Sequence, residues 1–177
     1  PVLNQLCQEG KIRFLGSSET AATDGNHSWL RAALPSGKLD VIMIAHNMLN
    51  QSAQRSIFPH CHDHNIGVMN IYSVRNIFKN PNRMTDTIGQ LQEKGLLDTA
   101  IQQDAPFDWL LDDPEIDTLI EAAYRYVVYT EGVTTAVCSA VSPDKVAQNI
   151  RSIAKGPLSR AHTDRIREIF GHLSEPV

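Results

Sequence analysis

Four short apolar segments, separated by longer segments of helical periodicity, constrain the fold of this chain most. They are IRFLGS (12–17), VIMIA (41–45), IGVMNIY (66–72) and VTTAVC (133–138). The second is apolar without alternation, as expected for a parallel strand that is covered on both faces. Strands that alternate with helices predict an α/β fold with a parallel sheet and right-handed crossovers.

The segments between the strands carry helix signals. Residues 113–131 predict the strongest helix, with Asp113 as its cap and Pro114 in its first turn. A second helix is predicted to begin at the cap Ser142 with Pro143 in its first turn, and to end at Gly156. The apolar residues expected to face inward are Ile116, Leu119, Ile120, Ala123, Tyr124 and Val127 in the first helix, and Val146, Ile150 and Ile153 in the second.

Three other segments are predicted to be helical from their apolar spacing. Residues 27–37 place Trp29, Leu30, Ala33 and Leu34 on one face. Residues 51–64 bring Ala53, Ile57 and Cys61 to one side at four-residue spacing. A last helix near 160–173 presents Ile166, Ile169, Phe170 and Leu173.

Composition and charge exclude several classes of protein. A chain of 177 residues that is 42% hydrophobic can bury one sizeable core. The net charge of −4 and the lack of a basic stripe argue against nucleic-acid partners. No apolar stretch is long enough for a membrane span, so we expect a soluble, cytoplasmic protein. Three widely spaced cysteines indicate neither a disulfide framework nor a zinc knuckle.

The wording of the four strand segments resembles the second half of the aldo/keto reductases. GKIRFLGSSE is similar to that family's fifth strand, and DVIMIAHNMLN to its sixth. IGVMNIYS is similar to the seventh strand, and VTTAVCSAVSPDKVAQN to the eighth strand with its helix. Each match alone is weak, but four in order at suitable spacing form a strong signal. The resemblance extends from about residue 10 to about residue 171.

The resemblance implies a partial (β/α)₈ TIM barrel with four parallel βα units, corresponding to strands 5–8, and a C-terminal helix. Residues 1–157 would form the half-barrel, and residues 158–177 the helix that packs on it. The first four units would precede Pro1. They carry the family's catalytic Asp, Tyr, Lys and His, so no residue here inherits a catalytic role.

The expected function is therefore that of a fragment of an NADP-dependent aldo/keto reductase, with NAD also possible. Such an enzyme moves a hydride between the cofactor and a small carbonyl or alcohol substrate. The fragment would bind the cofactor but not reduce a substrate. The alternative is a non-catalytic half-barrel that acts as a binding or assembly module. Its open strand edges would recruit the missing N-terminal half or a second copy.

Three residues match family positions around the nicotinamide ring. Ser18 matches the serine that hydrogen-bonds the carboxamide, although it could be a simple turn serine. Asn47 matches a residue that shares this carboxamide. Tyr72 matches the aromatic residue that stacks on the ring, with a core tyrosine as the alternative. Glu19 and Met43 depart from the family's usual Asn and Gln.

Two further residues match the region of the cofactor's pyrophosphate. Ser73 follows the stacking tyrosine as it does in the family. Arg75 stands in place of an apolar residue, and its guanidinium could pair with a phosphate oxygen or remain a solvated loop charge.

The eighth unit matches the adenosine end of the family's cofactor site. Ser142 caps a helix whose N-terminal amides form a natural anion site. Lys145 matches a usually arginine position that contacts the 2′-phosphate, which favours NADP over NAD; otherwise it is an exposed helix lysine. Gln148 and Asn149 match the pair that holds the adenine. Ser139 and Val141 stand where the family has Gly or Lys and Thr or Arg, so one contact from a basic side chain is lost.

The run HCHDH (60–64) suggests a metal site, because His60 and His64 share a helix face. A zinc site needs further ligands, and this run falls at the end of an outer helix, where Cys61 matches a family core position. No metal is therefore expected. His46 occupies a usual family tyrosine position and is expected to line the substrate or cofactor mouth.

Overall fold

A computed structural model describes residues 2–20 and 24–174 of the chain. Four parallel strands form one sheet, and each strand pairs with the next one along the chain. The strands are β1 (Gly16–Ser18), β2 (Val41–Ala45), β3 (Gly67–Ile71) and β4 (Thr135–Ala136). In the central pair, Val41 lies beside Gly67 and Ala45 beside Ile71. The α/β class and the parallel sheet predicted from the sequence are confirmed.

Helices cover the sheet and connect its strands. The α-helices are α1 (Val2–Gln8), α2 (Ser28–Ala33), α3 (Ser52–Ser56), α4 (Phe58–Asp63), α5 (Pro81–Glu93), α6 (Asp108–Leu111), α7 (Leu119–Val128), α8 (Pro143–Ala154) and α9 (Arg160–Phe170), and short 3₁₀ turns span Leu34–Ser36 and Asn76–Phe78.

The two outer strands are shorter than the apolar segments that predicted them. β2 agrees with its segment, and β3 is one residue shorter at each end. By contrast, β1 begins only at Gly16, and Phe14 before it is 68% exposed. Each outer strand has one neighbour among the described residues, so half of its backbone groups lack a ladder partner. Because a second neighbouring strand is lacking among the described residues, β1 and β4 form ladder hydrogen bonds over only a few residues.

Two buried clusters form the core. The smaller one involves β2 and β3 and includes Leu30, Ile42, Ala53, Cys61 and Val68. The larger one joins α5 to α9 and contains Phe107 against Phe170, whose ring centroids are 4.7 Å apart. Burial of the predicted faces of the 51–64 segment and of the last helix is thereby confirmed at Ala53, Ile57, Cys61, Ile166, Phe170 and Leu173.

Helix α7 begins later than the sequence predicted. Asp113 is not its cap, because the Asp113 carboxylate accepts from the amide of Glu115 in a separate turn. The cap is Thr118, whose hydroxyl accepts from the amide of Glu121 at 3.1 Å. From Glu121 to Val127 every residue is buried, so the helix is enclosed on all sides and does not present a single apolar stripe.

Other predicted faces are wrong at particular side chains. Trp29 of α2 is 51% exposed, whereas Leu30 on the next position is fully buried. In α8, the cap Ser142 is confirmed, but Val146 and Ile150 are 45% and 62% exposed. These two residues lie beyond β4, where no further strand is present among the described residues. The apolar stripe of α8 therefore has no described strand to cover.

Candidate cofactor-binding site

The polar residues singled out in the sequence follow the strands directly. Parallel strands carry their carboxyl ends to one edge of the sheet, which is where α/β proteins bind ligands. Ser18 ends β1, Asn47 follows β2, and Tyr72 and Ser73 follow β3. The N-terminus of α8 follows β4, with Ser142 as its cap.

Tyr72 has an unusual backbone conformation at this edge. Its φ is +63°, a left-handed conformation that is strained for a bulky residue and recurs at functional sites. The Tyr72 carbonyl accepts a 3.2 Å hydrogen bond from the Asn47 side-chain amide. The ring is 44% exposed, and the Arg75 guanidinium carbon lies 4.7 Å from its centroid. Tyr72 therefore offers an exposed aromatic surface with a cation over one face.

A cavity of about 570 Å³ opens beside Tyr72. Its lining includes four cationic side chains: Arg75, Lys79, Arg83 and Lys94. No acidic residue contributes to this lining. A concave surface with several positive charges and one aromatic ring is suited to an anionic ligand that also has an aromatic portion.

A second cavity of about 500 Å³ lies against α7 and α8. Its lining brings together Lys145, Gln148 and Asn149, as the sequence predicted for adjacent helical positions. It shares Lys79 and Ser139 with the first cavity, so the two are contiguous. Together they form one groove that runs from Tyr72 to α8.

Side chains on α8 are held by local hydrogen bonds at the end of this groove. The Ser142 hydroxyl accepts from the amide of Lys145 at 3.4 Å. The Lys145 ammonium donates to the Gln148 side-chain oxygen at 3.2 Å. The Asn149 amide donates to the sulfur of Cys138 at 3.0 Å. The Lys145 and Gln148 side chains are exposed, so both can exchange these contacts for contacts to a ligand.

Asn47 and Ser73 are engaged within the protein. Both are 1% exposed. The Asn47 side-chain oxygen accepts from the amides of Leu49 and Asn50, and the Ser73 hydroxyl donates to Asn70 at 2.7 Å. These two side chains shape the strand ends. Ser18 is exposed, donates to the Glu19 carbonyl at 3.3 Å, and lines neither part of the groove.

The expectation that His46 lines the mouth of the site is wrong. Its ring is fully buried between Phe58, at a centroid distance of 5.3 Å, and Tyr126 of α7, at 5.7 Å. Burial is the main cause that lowers the pKa of His46 to about 3, so the ring is neutral at ordinary pH. The side chain belongs to the helix layer because aromatic neighbours enclose it there.

The histidine run 60–64 lies in and just after α4. The rings of His60 and His64 stack at a centroid distance of 4.0 Å, and His64 also contacts the His60 carbonyl. Across residues 2–20 and 24–174, no three His, Cys, Asp or Glu side chains are grouped so that they could hold a metal ion. In the same residues, no helix combines the length and apolar character needed to cross a membrane.

Several groove residues were missing from the sequence prediction, among them the cations Lys79, Arg83 and Lys94. Lys79 and Arg83 flank the N-cap of α5, Asn80, whose side chain accepts from the amides of the first turn. Their positions after β3 were a signal that could have indicated them. Ser139 follows β4 directly and lines both cavities, although motif comparison had treated it only as a departure.

The sequence profile of the aldo/keto reductase family matches residues 1–170. The chain belongs to the aldo/keto reductase family. One relative is the NADH-specific methylglyoxal reductase of Escherichia coli strain K12, which is 38% identical over 72 residues. That match covers 41% of this chain and 20% of the relative.

Solved aldo/keto reductase structures share the fold. The holo form of AKR11C1 from Bacillus halodurans is 21% identical, with a TM-score of 0.64 over 93% of this chain and 52% of its own. An aldo-keto reductase from Klebsiella pneumoniae in complex with NADPH is 17% identical, with a TM-score of 0.59. The match covers 98% of this chain and 54% of the Klebsiella chain. Glycerol dehydrogenase AKR11B4 from Gluconobacter oxydans is 19% identical, with a TM-score of 0.64. The match covers 99% of this chain and 54% of the dehydrogenase.

The chain therefore spans about half the length of these solved aldo/keto reductases. Its four strand–helix units correspond to part of their barrel, as the resemblance implied.

Proposed function

We propose that this chain is the cofactor-binding part of an NADP-dependent aldo/keto reductase that acts on small carbonyl or alcohol substrates in the cytoplasm. The observation that carries the proposal is the continuous groove from Tyr72 to Lys145, joined through Lys79 and Ser139. It combines an aromatic surface, several cations and paired amide side chains in the order that a dinucleotide requires. No comparable arrangement is formed by the run 60–64.

Residues that line the groove, together with Ser18, Asn47 and Ser73 at the neighbouring strand ends, fit the cofactor in chemical terms. Tyr72 would stack on the nicotinamide ring, and Arg75 and Ser73 would lie towards the pyrophosphate, with Lys79 as a further cation. Ser18 and Asn47 would act at the carboxamide, Asn47 through the loop that its side chain orders. The bound cofactor supplies a hydride, and this chain's contribution is to position it.

At the adenosine end, Lys145 would contact the 2′-phosphate while Gln148 and Asn149 hold the adenine. Ser142 supports this end by capping α8, whose first-turn amides favour an anion. The printed names of relatives point to both cofactors, NADH for the Escherichia coli enzyme and NADPH for the Klebsiella one. Lys145 is the feature of this chain that favours NADP.

Substitution of Lys145 tests this choice directly. A hydrogen bond to a charged group contributes roughly 1.5–3 kcal/mol, so Lys145→Ala should weaken NADPH binding by about tenfold to a hundredfold. NADH, which lacks the 2′-phosphate, should bind with nearly unchanged affinity. Calorimetric titration of the 177-residue chain with both cofactors measures the difference.

Lys11→Ala is the matched control, because the Lys11 side chain is 66% exposed and pairs with Glu9 on the N-terminal helical segment. It should leave both affinities unchanged. Equal losses for NADPH and NADH in Lys145→Ala would show that Lys145 does not read the 2′-phosphate. If wild type binds neither cofactor, the proposed function fails for this chain.

A second candidate, a non-catalytic binding or assembly module, is favoured by the exposed apolar surface around β4. Val137, Val141, Val146 and Ile150 are all at least 45% exposed. In an intact barrel, an N-terminal half that supplies the catalytic residues would cover such a surface. An assay of reductase activity, with the chain alone and with that half added in trans, separates the candidates, because only the reductase proposal predicts that activity appears on mixing.

A further inference from the structure

A buried polar chain connects β1 with α2 and α3. One Glu19 carboxylate oxygen lies 2.5 Å from His27 Nδ1, and His27 Nε2 lies 2.8 Å from the Ser52 hydroxyl. The second Glu19 oxygen accepts from the amide of Ala45 at 2.6 Å. Glu19, His27 and Ser52 are 7%, 1% and 5% exposed. Three ionisable or hydroxyl groups are thus arranged in series away from solvent.

Hydrogen-bond counting fixes where the protons of this chain lie. The Ser52 hydroxyl has one proton, and two acceptor oxygens surround it, those of Asn50 at 2.7 Å and Gly25 at 3.0 Å. Neither oxygen can donate, so the Ser52 proton points to one of them and His27 Nε2 must be the donor to Ser52. One more proton then lies between His27 Nδ1 and Glu19, because two bare lone pairs would repel each other at 2.5 Å.

This geometry superficially resembles a Ser–His–acid catalytic triad. A nucleophilic serine must donate its proton to the histidine, whereas Ser52 donates away from His27. Ser52 is also closed off from solvent. The arrangement therefore serves to hold backbone segments, and the left-handed φ of +56° at His27 shows that its surroundings impose its conformation.

The chain continues to Tyr72. The side-chain oxygen of Asn50 accepts from the Ser52 hydroxyl, and the backbone amide of Asn50 donates to the Asn47 side chain at 2.9 Å. The Asn47 side-chain amide in turn donates to the Tyr72 carbonyl. A continuous path of hydrogen bonds therefore links the ends of β1, β2 and β3. It reaches the residue whose backbone is most strained at the groove.

We propose that Glu19, His27 and Ser52 are positioning residues that, through one shared buried proton and the Asn50–Asn47 loop, hold Tyr72 in the conformation that receives the nicotinamide ring. The inference rests on the proposed cofactor function for its ligand. The residues themselves touch no part of the groove and act only through Asn47.

The shared proton is tested by proton NMR of the 177-residue chain. A proton held between nitrogen and oxygen at this separation should give a resonance far downfield of the amide region. Glu19→Gln keeps the side-chain shape but cannot share the proton, so the resonance should disappear. Glu131→Gln makes the same change at an exposed position and should leave it in place. Absence of the resonance in wild type, or its persistence in Glu19→Gln, would overturn the shared proton.

The positioning role is tested with Ser52→Ala, which interrupts the path between His27 and Asn50. If Tyr72 then spends about a tenth of its time in the receptive conformation, the Kd for NADPH rises about tenfold. Adenosine 2′,5′-bisphosphate lacks the nicotinamide half and should bind within twofold of wild type. Ser56→Ala, on the same helix but outside the path, should change neither affinity. Equal losses for both ligands, or no loss for either, would refute the positioning role.

The two proposals fail in distinguishable ways. If wild type binds neither NADPH nor adenosine 2′,5′-bisphosphate, the cofactor function is wrong for this chain. The backbone amide resonance of Tyr72 then decides the inference without any ligand. A shift in Ser52→Ala that is absent from Ser56→Ala supports the path, and an unmoved Tyr72 resonance overturns it.

Discussion

Mild acid should destabilise the fold through His46. The folded pKa of this ring is about 3, mainly because of its burial, against 6.5 for an ordinary histidine. Between these values the unfolded chain binds a proton that the folded chain does not. The free energy of unfolding must therefore fall as the pH falls below 6.5, and this loss continues until the folded pKa is reached.

The magnitude follows from the linkage relation. Each pH unit below 6.5 costs about 1.4 kcal/mol for one excluded proton, so at pH 5 the His46 contribution is about 2 kcal/mol. The neutral form also agrees with the hydrogen bonds, because Thr130 donates its only proton to the Tyr126 carbonyl and can only accept from His46 Nε2. Such a loss is a large fraction of the free energy of unfolding of a typical domain, which is about 5–15 kcal/mol.

Urea unfolding at pH 7.5 and pH 5.0 measures this contribution when wild type is compared with His46→Phe. Phenylalanine retains the aromatic contacts with Phe58 and Tyr126 but binds no proton. The pH-dependent loss of stability should be about 2 kcal/mol smaller in the variant. Losses that agree within about 0.5 kcal/mol would show that His46 binds its proton as readily in the folded as in the unfolded chain, and would refute the reasoning.

Two substitutions test the packing of α7. Arg125, 4% exposed, donates to the carbonyls of Glu115, Gly156 and Pro157 and to the Glu121 carboxylate. Arg125→Ala should lower the free energy of unfolding by about 3 kcal/mol, at the low end for a broken buried ion pair because Lys155 still pairs with Glu121. Urea unfolding measures this loss, and a loss below about 1 kcal/mol would contradict this account. Gly132→Ala should lower the free energy of unfolding by about 2–3 kcal/mol, since φ at Gly132 is +95° and the new Cβ would lie 2.7 Å from a Phe58 carbon. An unchanged urea midpoint of unfolding would contradict this prediction.

Sequence periodicity predicted the parts of the fold whose signals are local. VIMIA agrees with β2 in its bounds, although only the face of Ile42 and Ile44 is fully buried, whereas Val41 and Met43 on the other face are half-buried. The Ser142–Pro143 start of α8 agrees because a cap is decided within one turn. At α7 the same reasoning was misled, since Asp113 and Pro114 form a complete turn of their own before Thr118 starts the helix.

Other features depend on residues far apart in the chain and have no local signal. The periodicity of α8 correctly grouped Val146 with Ile150 but could not say whether a strand would lie beneath them. The hydrogen bond from the Asn47 side chain to the carbonyl of Tyr72, 25 residues away, is an example that no local pattern indicates. Glu19 and His27 lie eight residues apart in the sequence, and no spacing rule predicts their contact.

The exposed apolar residues lie at both outer strands, and those near β4 adjoin the groove, because Val141 lines the second cavity. Phe14 precedes β1 and Val137 follows β4, so both are exposed at outer strands. The groove draws on α5, α7 and α8, all within the described residues. The proposed adenosine end around Lys145 is lined by residues of this chain, whereas a substrate facing Tyr72 would need further walls. We accordingly expect cofactor binding to survive in the chain and catalysis to require the other half of the barrel.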